Sequence, residues 1–244
     1  MTTEVHGFPK RISPCPIVEA IVELRFSSAV LPDAVFGIIY QEFGKDFSGR
    51  VEKLPILQLP EPIRAIDPNL MYQPHYKLVA GNLLFQIGPR VTSLSNFREY
   101  MGWDNFARKL TEVFLRLQKL QVVKAVERLG IRYINLFKDD VYNNINLIIL
   151  MNDEPLRTVR TTLRAEIEDD GFTTTLQIAN PATLKIQSQA MVGSVIDIDV
   201  ARQVFETDFF GNMESILEKG HYIEKKLFFS LLKMEFLSTL NPEY

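Results

Sequence analysis

The sequence predicts an α+β protein built on a largely antiparallel sheet, with helices on one face of that sheet. Apolar residues recur every three or four positions from Trp103 to Leu120, which is the period of one face of an α-helix. The period then becomes two, because Leu129, Ile131 and Tyr133 alternate with charged residues and glycine. Several short alternating segments are separated by Gly-Asn and Asp-Asp-Gly turns, and such hairpins favour α+β over a parallel α/β sheet.

The first half of the chain predicts an extended lead-in, a strand and a helix. Three prolines in residues 1–16 favour an extended segment, because proline and the residue before it resist helix. Residues 17–26 alternate like a strand, and Pro32-Asp33 begins a helix that we expect to reach about Phe47. Residues 51–74 contain five prolines and predict short edge strands and loop, since proline removes a donor from a strand ladder.

A hairpin is predicted at residues 75–80 and 83–87, around the tight turn Gly81-Asn82. We expect its second strand to continue to Leu94, with Gly88-Pro89 as a bulge. The order strand, helix, hairpin, helix, strand then predicts a ferredoxin-like, split β-α-β subdomain over residues 17–138.

The second half predicts antiparallel hairpins closed by a long helix, as a subdomain of residues 147–244. The polar residues 139–146 are the expected join between the halves. Strands are expected at 147–151, 161–168, 172–179 and 195–200. Thr207 or Asp208 caps a final helix that reaches about Leu240 and breaks near Gly220. The halves could share one sheet as a single domain; the alternative is a helix cradled by a curved sheet, with a pocket between them.

Composition places the chain among ordinary globular proteins. Of its 244 residues 46% are hydrophobic and 23% charged, and the formal net charge of −3 provides no global basic field to attract nucleic acid. A single cysteine excludes an intrachain disulfide. The first residues lack the basic start and apolar core of a signal peptide, and the apolar runs are too short to cross a bilayer. We therefore expect a soluble, cytoplasmic protein without membrane contact.

Three arginines form the preferred candidate binding site. Arg128 and Arg132 lie on the same face of one predicted strand, and Arg90 is expected on a neighbouring strand. Guanidinium groups placed in this way bind a carboxylate or phosphate in bidentate fashion, and Tyr133 and Asn135 are adjacent in sequence. The alternative is that the arginines form salt bridges across the sheet, to Glu19, Glu23 or Glu127.

Two carboxylates form a candidate metal site. Asp197 and Asp199 are two residues apart on a predicted strand, so both leave the same face and could hold Mg²⁺ or Ca²⁺ with further oxygen ligands. A solvated strand face is the alternative. His221 is a further candidate, because histidine is common at functional sites; the alternative is a histidine that packs or forms a hydrogen bond at a helix break. Cys15 has no identifiable base beside it. No cofactor is expected.

Nucleic-acid binding has little support in the sequence. A ferredoxin-like sheet can stack bases on exposed aromatic residues, but most strand aromatics fall in the apolar alternation of a core. The candidates for such stacking are Tyr76, Phe85, Tyr133, Phe137 and Phe172. The sequence also lacks the phosphate-binding glycine motifs and the nucleophile-elbow motif.

Several short segments resemble a sporadically distributed family of uncharacterised prokaryotic proteins of about 250 residues, a length consistent with one or two domains. The resembling segments are Pro16 to Ala20, Gly88 to Val91, Trp103, Arg132 to Asn135, Asp197 to Val200, His221 and Phe228. The resemblance spans nearly the whole chain and implies no activity, cofactor or catalytic residue. By analogy it implies an accessory role in a mobile-element or defence system.

The expected function is therefore that of a non-enzymatic binding or interaction module. A protein partner or self-association is expected, because Phe209-Phe210 and Phe228-Phe229 cannot each turn both rings to one side of a helix. The alternatives are a metal-dependent enzyme that uses the carboxylate pair, and an RNA-binding ferredoxin-like protein.

Overall fold

The computed structural model describes residues 7–47, 51–155, 160–186, 189–204 and 208–244. These residues form an α+β fold with a large antiparallel sheet, as predicted. The strands are β1 (Ile17–Ser28), β2 (Glu52–Lys53), β3 (Tyr76–Ala80), β4 (Leu83–Ile87), β5 (Val91–Phe97), β6 (Val123–Phe137), β7 (Leu150–Met151), β8 (Glu154–Pro155), β9 (Thr161–Asp169), β10 (Phe172–Ile186) and β11 (Gln189–Gln203). The helices are α1 (Pro32–Phe43), α2 (Glu61–Ile66), α3 (Trp103–Lys119), α4 (Phe209–Leu231) and α5 (Met234–Thr239).

Nine of the strands form one sheet in the order β2-β3-β4-β5-β1-β6-β11-β10-β9. Strand β6 lies near its middle and pairs with β1 on one side and with β11 on the other, antiparallel in both cases. Strands β7 and β8 form a separate pair. The strand that carries Arg128 and Arg132 is therefore flanked by strands from both halves of the chain.

The two faces of this sheet differ in what covers them. On one face Val22, Ile131 and Ile198 are fully buried. Helix α4 packs on this face so closely that a Cβ on Gly220 would lie 2.6 Å from Ile131 Cδ1. Helix α1 reaches the same face, because the ring of Phe43 packs 5.1 Å from that of Phe85. We call this the covered face, and the face that carries Glu23, Arg132 and Asp199 the open face.

The amphipathic helix predicted from Trp103 is confirmed as α3. Its apolar stripe is buried: Phe106, Leu110, Val113, Phe114 and Leu117 are each 5% exposed or less. The helix begins after Gly102, whose φ of +83° favours glycine. The stripe faces the core, while Arg116 on its flank pairs with Glu42 of α1 at 2.7 Å. The side-chain period alone thus identified both the helix and its buried face.

The predicted bulge at Gly88-Pro89 is wrong, because the chain reverses there. Strand β4 ends at Ile87 and β5 returns antiparallel to it, with the Gly88 N–H donating to the Val91 carbonyl at 2.8 Å. A Cβ on Gly88 would lie 2.7 Å from the Gln73 carbonyl oxygen, so the turn needs glycine for space. A bulge and a turn share the same residue types, and the sequence pattern did not separate them.

The predicted break of the last helix near Gly220 is also wrong. Helix α4 continues through Gly220, and the chain bends instead after Leu231, before α5. Glycine lowers helix propensity, but here it permits close contact with the sheet, and that packing outweighs the propensity. The predicted cap is confirmed for Asp208, whose carboxylate accepts the Gly211 N–H at 2.9 Å. Thr207 lies outside the described residues.

The proline-rich residues 51–74 form β2, a 3-10 turn at Pro55–Gln58 and the short helix α2. Their prediction as short edge strands and loop is wrong for α2, which Pro62 permits because it lies in the first turn. This segment lies over the open face of the sheet, where it encloses a pocket with the strands. Among the described residues, no helix has the length and apolar character needed to cross a membrane.

Candidate ligand-binding pocket

The open face of the sheet forms the floor of a pocket of about 710 Å³. Strands β1, β4, β5, β6 and β11 supply a floor of mostly polar side chains, and the segment 54–74 supplies a mostly apolar roof. The floor residues are Ile21, Glu23, Arg25, Gln86, Ser93, Arg128, Gly130, Arg132 and Asp199; the roof residues are Leu54, Pro55, Ile56, Leu59, Leu70, Gln73 and Pro74. Pockets for small molecules commonly have volumes of about 300–1,000 Å³. The size and mixed lining therefore suit a small polar molecule with an apolar part.

Arg128 lies at the centre of the floor and links two neighbouring strands. Its Nη1 donates to Glu23 Oε1 at 3.1 Å and its Nη2 to Asp199 Oδ2 at 3.0 Å. The guanidinium group lies over Gly130, where a Cβ would be 2.6 Å from Nη1. Glycine at this position thus leaves the space in which the arginine folds across the sheet.

Arg132 forms the second ion pair of the floor. Its Nε and Nη2 donate to the two carboxylate oxygens of Asp197 at 2.8 and 2.5 Å, which is a bidentate pair. Hydrogen bonding to Asp197 raises the pKa of Arg132 above its ordinary value. Beside this pair, burial raises the pKa of Glu19, although a hydrogen bond from Ser95 opposes that shift. The floor is thus an alternating array of positive and negative groups.

A tyrosine clamp attaches the roof to the sheet. The Tyr72 hydroxyl donates to Glu127 Oε2 at 2.6 Å, and its ring lies 5.0 Å from the guanidinium carbon of Arg25 and 5.0 Å from that of Arg90. Arg90 in turn donates to Glu127 Oε1 at 2.7 Å. Cation–π contacts and a charged hydrogen bond together hold the roof segment over the floor.

The arginine candidates are divided between two roles. Arg128 and Arg132 both line the pocket, whereas Arg90 lies outside its lining and supports the roof through Tyr72. The alternative interpretation was that the arginines form salt bridges across the sheet, and all three do form salt bridges. Arg90 pairs with Glu127, Arg128 with Glu23 and Arg132 with Asp197. An incoming anion therefore has to compete with carboxylates that are already in place.

Tyr133 and Asn135 lie on the opposite side of the sheet from the pocket. The side chains of a strand alternate, so both face the covered side, where each is 1% exposed. Asn135 donates to the Ile196 carbonyl at 3.3 Å. Adjacency in sequence brought these residues into the predicted site, but adjacent strand residues face apart.

Tyr133 belongs instead to a buried polar cluster between the sheet and α4. Its hydroxyl lies 2.9 Å from the Tyr100 hydroxyl and 3.3 Å from His221 Nδ1, and His221 stacks on Trp103 with ring centroids 4.0 Å apart. Burial lowers the pKa of His221 to about 3. Burial also raises the pKa of Glu224, one turn further along α4, to about 8. Both side chains are therefore neutral at pH 7.

The carboxylates predicted as a metal site do leave the same face, as Asp197 and Asp199 both lie on the open side. Each is bound by an arginine, at 2.5 Å for Asp197 and 3.0 Å for Asp199. Within the described ranges, no group of three or more histidine, cysteine, aspartate or glutamate side chains is placed to hold a metal ion. Hard cations need several oxygen ligands, so this arrangement suits ion pairing better.

Two features of the molecule were missed by the sequence argument. The roof was not foreseen as part of a site, and no periodic pattern in a proline-rich segment could have placed it there. Glu224 was also missed, yet a clue was present: it lies within the apolar stripe of α4, next to Ile223 and four residues before Phe228. An acidic residue inside an apolar stripe indicates a buried carboxyl group.

The comparisons with known proteins returned no match, either to a protein-family model or to a curated protein.

Proposed function

We propose that the protein is a non-enzymatic binding module whose ligand site is the open-face pocket. The observation that carries this proposal is the pocket itself, a cavity of about 710 Å³ with a charged floor and an apolar roof. Polar groups that converge in a partly apolar concavity are the usual composition of a ligand site. Arg128, Arg132 and Asp199 would orient the ligand, and the roof would cover its apolar part.

Binding is favoured over catalysis by the chemistry of the lining. Its described residues include no histidine or cysteine, and its one hydroxyl, on Ser93, donates to Gln86 at 3.1 Å. A nucleophile needs a base beside it; an amide side chain is not a base, and the carboxylates of the lining, Glu23 and Asp199, are already bound by Arg128. The metal-dependent alternative has less support, because Asp197 and Asp199 are engaged by arginines.

RNA binding has less support as well. Among the predicted stacking residues, Phe85, Tyr133, Phe137 and Phe172 are each 8% exposed or less. Tyr76 stacks on Phe36 with ring centroids 3.7 Å apart. A stacking platform needs exposed rings, so these five residues do not provide one.

The test is a small-molecule library screened by thermal shift against the wild-type protein and one pocket-filling variant. Ile21→Phe enlarges a half-buried floor residue without changing a charge, so we expect it to abolish the stabilisation given by each hit. Leu115→Phe is the matched control, because Leu115 is 42% exposed on α3. Hits that stabilise Ile21→Phe as well as wild type would place the ligand elsewhere and refute the proposal.

A second candidate function is self-association through the end of the β10–β11 hairpin. The ends of β10 and β11 pair with each other from Ala182–Gly193 to Ile186–Gln189. This part of the hairpin extends past the last described residues that pair with β10 and β11 from the outer sides, which are Thr161 of β9 and Phe137 of β6. A lone two-stranded ribbon is marginally stable, and Val192 within it is 70% exposed. The predicted phenylalanine pairs are less suitable, because Phe210 and Phe229 pack against the core.

Sedimentation velocity tests the self-association. We expect wild type to form a dimer at high concentration and Val192→Lys to weaken it, since a charge would be buried in the interface. Leu31→Lys is the control, because Leu31 is also an exposed apolar residue, at 78%. A wild-type protein that stays monomeric throughout would remove this candidate.

We also propose the details of the fold and of the cellular role that the sequence predicts. The order β4-β5-β1-β6, with α1 and α3 on one face, supports a ferredoxin-like unit in the first half, and α4 supports a second half closed by a long helix. The ferredoxin-like hairpin would then be β4–β5, with β3 as an addition. Cytoplasmic location, membership of the prokaryotic family that the sequence resembles and an accessory role in mobile-element or defence systems stay predictions.

A further inference from the structure

The charges of the pocket floor restrict the class of ligand. Arg128 is shared between Glu23 and Asp199, Arg25 donates to Glu23 at 2.7 Å, and Arg132 is bound to Asp197. Each arginine of the pocket lining thus has a carboxylate partner before a ligand arrives. The side chains are partly withdrawn from water, with Arg128 15% and Asp197 10% exposed. Separating such a pair leaves a poorly hydrated charge without a partner.

This arrangement is unfavourable for a ligand of one charge. An anion that takes Arg128 or Arg132 leaves Asp199 or Asp197 uncompensated, and a cation that takes Glu23 or Asp199 leaves an arginine uncompensated. The penalty for an unpaired, partly buried charge offsets the gain from the new contact. A ligand that carries a positive and a negative group can compensate both the arginine and the carboxylate of an ion pair that it separates.

Unused donors and acceptors on the floor support the same conclusion. Glu23 Oε2 and Asp199 Oδ1 receive no hydrogen bond from any described residue, and Arg132 Nη1 donates none to one. Acceptors and a donor are therefore available side by side on strands β1, β6 and β11. A ligand with an ammonium group and a carboxylate can contact both kinds of group at once, whereas a ligand of one charge can contact only one kind.

The roof indicates the rest of the ligand. Leu54, Ile56 and Leu59 lie across the pocket from the charged floor, and Leu59 is 40% exposed. Covering this apolar surface favours a ligand with an aliphatic part. We propose that the pocket binds an amphipathic zwitterion of the amino-acid or short-peptide class, with its charged end on the Arg128–Asp199 floor and its aliphatic part under the roof. This inference rests on the proposed binding function.

Four compounds of one shape test the inference by calorimetry on the full chain. Leucine carries both charges, leucinamide only the positive one, isocaproate only the negative one, and isocaproamide neither; the dipeptide leucyl-leucine tests the larger size. We expect leucine or leucyl-leucine to bind at least about tenfold more tightly than each singly charged or neutral analogue, which corresponds to a clearly measurable difference in free energy.

Two variants and a control connect the preference to the floor. Asp199→Asn removes one acceptor charge, and we expect it to erase the advantage of the zwitterion over isocaproate. Ile21→Phe should remove the binding of every compound, because it fills the pocket while leaving the ion pairs of the floor intact. Glu166→Gln, which alters an exposed pair with Arg164 on β9, should change nothing.

The outcomes separate this inference from the proposed function. Isocaproate, leucinamide or isocaproamide binding as tightly as the zwitterions, with binding lost in Ile21→Phe, overturns the ligand class and leaves the binding function standing. Binding that survives Ile21→Phe overturns both, whereas no binding by any of the five compounds overturns the ligand class alone. A zwitterion preference that Asp199→Asn does not change also overturns the assignment to this floor.

Discussion

The ionisable side chains on the two faces of strand β6 differ in their protonation: they are charged and paired on the open face, and neutral on the covered face. On the open face Arg128 and Arg132 are ionised and each is compensated by a carboxylate at 3.1 Å or less. On the covered face the pKa values of His221 and Glu224 are moved by burial so that both side chains are neutral at pH 7. Solvent access explains this difference: where water and counter-charges are close, the side chains keep their charge, and where both are excluded, the neutral form of each side chain is favoured.

The largest expected effect is a difference in core packing between the faces. Ile131→Ala on the covered face, at 0% exposure, should lower the free energy of unfolding by about 2–5 kcal/mol, because it leaves a cavity beneath α4. Ile21 is half-buried on the open face, two residues before Glu23 on β1. Ile21→Ala should therefore lower the free energy of unfolding by about 1 kcal/mol or less. Urea denaturation measures both values, and equal losses would contradict the assignment of the faces.

The next prediction concerns the protonated carboxyl group of Glu224. Its pKa is about 8 in the folded protein and near the ordinary 4.5 when unfolded, so between these values the folded state holds more protons. The free energy of unfolding should therefore fall as pH rises through this window, by up to about 1.4 kcal/mol per pH unit.

Glu224→Gln cannot ionise and should remove this pH dependence. The measurement is the difference between wild type and variant in urea denaturation at several pH values across the window. Glu214→Gln, at an exposed position of the same helix, should leave the wild-type dependence intact. A difference between wild type and Glu224→Gln that does not change with pH would show that Glu224 is ionised in the folded protein.

The opposite sign is expected for His221. Its pKa is about 3 in the folded protein against an ordinary 6.5, mainly because of burial and secondarily because of Lys225. The unfolded chain takes up the proton first, so the free energy of unfolding should fall as pH drops from 6.5 towards 3.

His221→Phe tests this prediction, because it preserves an aromatic ring to stack on Trp103 but cannot titrate. We expect wild type to lose stability relative to the variant as pH falls, although Tyr133 loses one hydrogen-bond partner at every pH. Since that loss does not depend on pH, only the slope of the difference is diagnostic. A flat difference would mean that the imidazole is protonated within the fold.

The smallest effect is expected on the open face. Arg128→Lys retains the charge but cannot bridge Glu23 and Asp199 with the same planar group, so the free energy of unfolding should fall by about 1 kcal/mol or less. The loss should shrink at high salt, since the pairs are partly exposed. Lys109→Ala, in the exposed pair with Glu112, should change stability by no more than about 0.5 kcal/mol.

The sequence predicted the parts of the candidate site that follow from alternation along one strand. Arg128 and Arg132 on one face, and Asp197 with Asp199 on one face, needed only the period of two. The same period puts Tyr133 and Asn135 on the opposite face from the pocket, and their inclusion gave more weight to adjacency along the chain than to that period. Arg90 lies in the turn between β4 and β5 and not on a strand, and it contacts Tyr72 outside the pocket lining.

The sequence alone was enough to predict the α+β class, helix α3 with its buried stripe, two of the hairpins and the segregation of charge from apolar residues along β6. These features depend on periods of two and of 3.6 residues, and on local turn and cap chemistry, which operate within about twenty residues. The remaining features required the folded chain: β6 pairs with both β1 and β11, residues 54–74 cover the open face, and His221 and Glu224 lie near Tyr133 in a buried cluster. Those facts depend on which distant surfaces meet and exclude water, and no local pattern specifies the partner across a contact of such sequence separation.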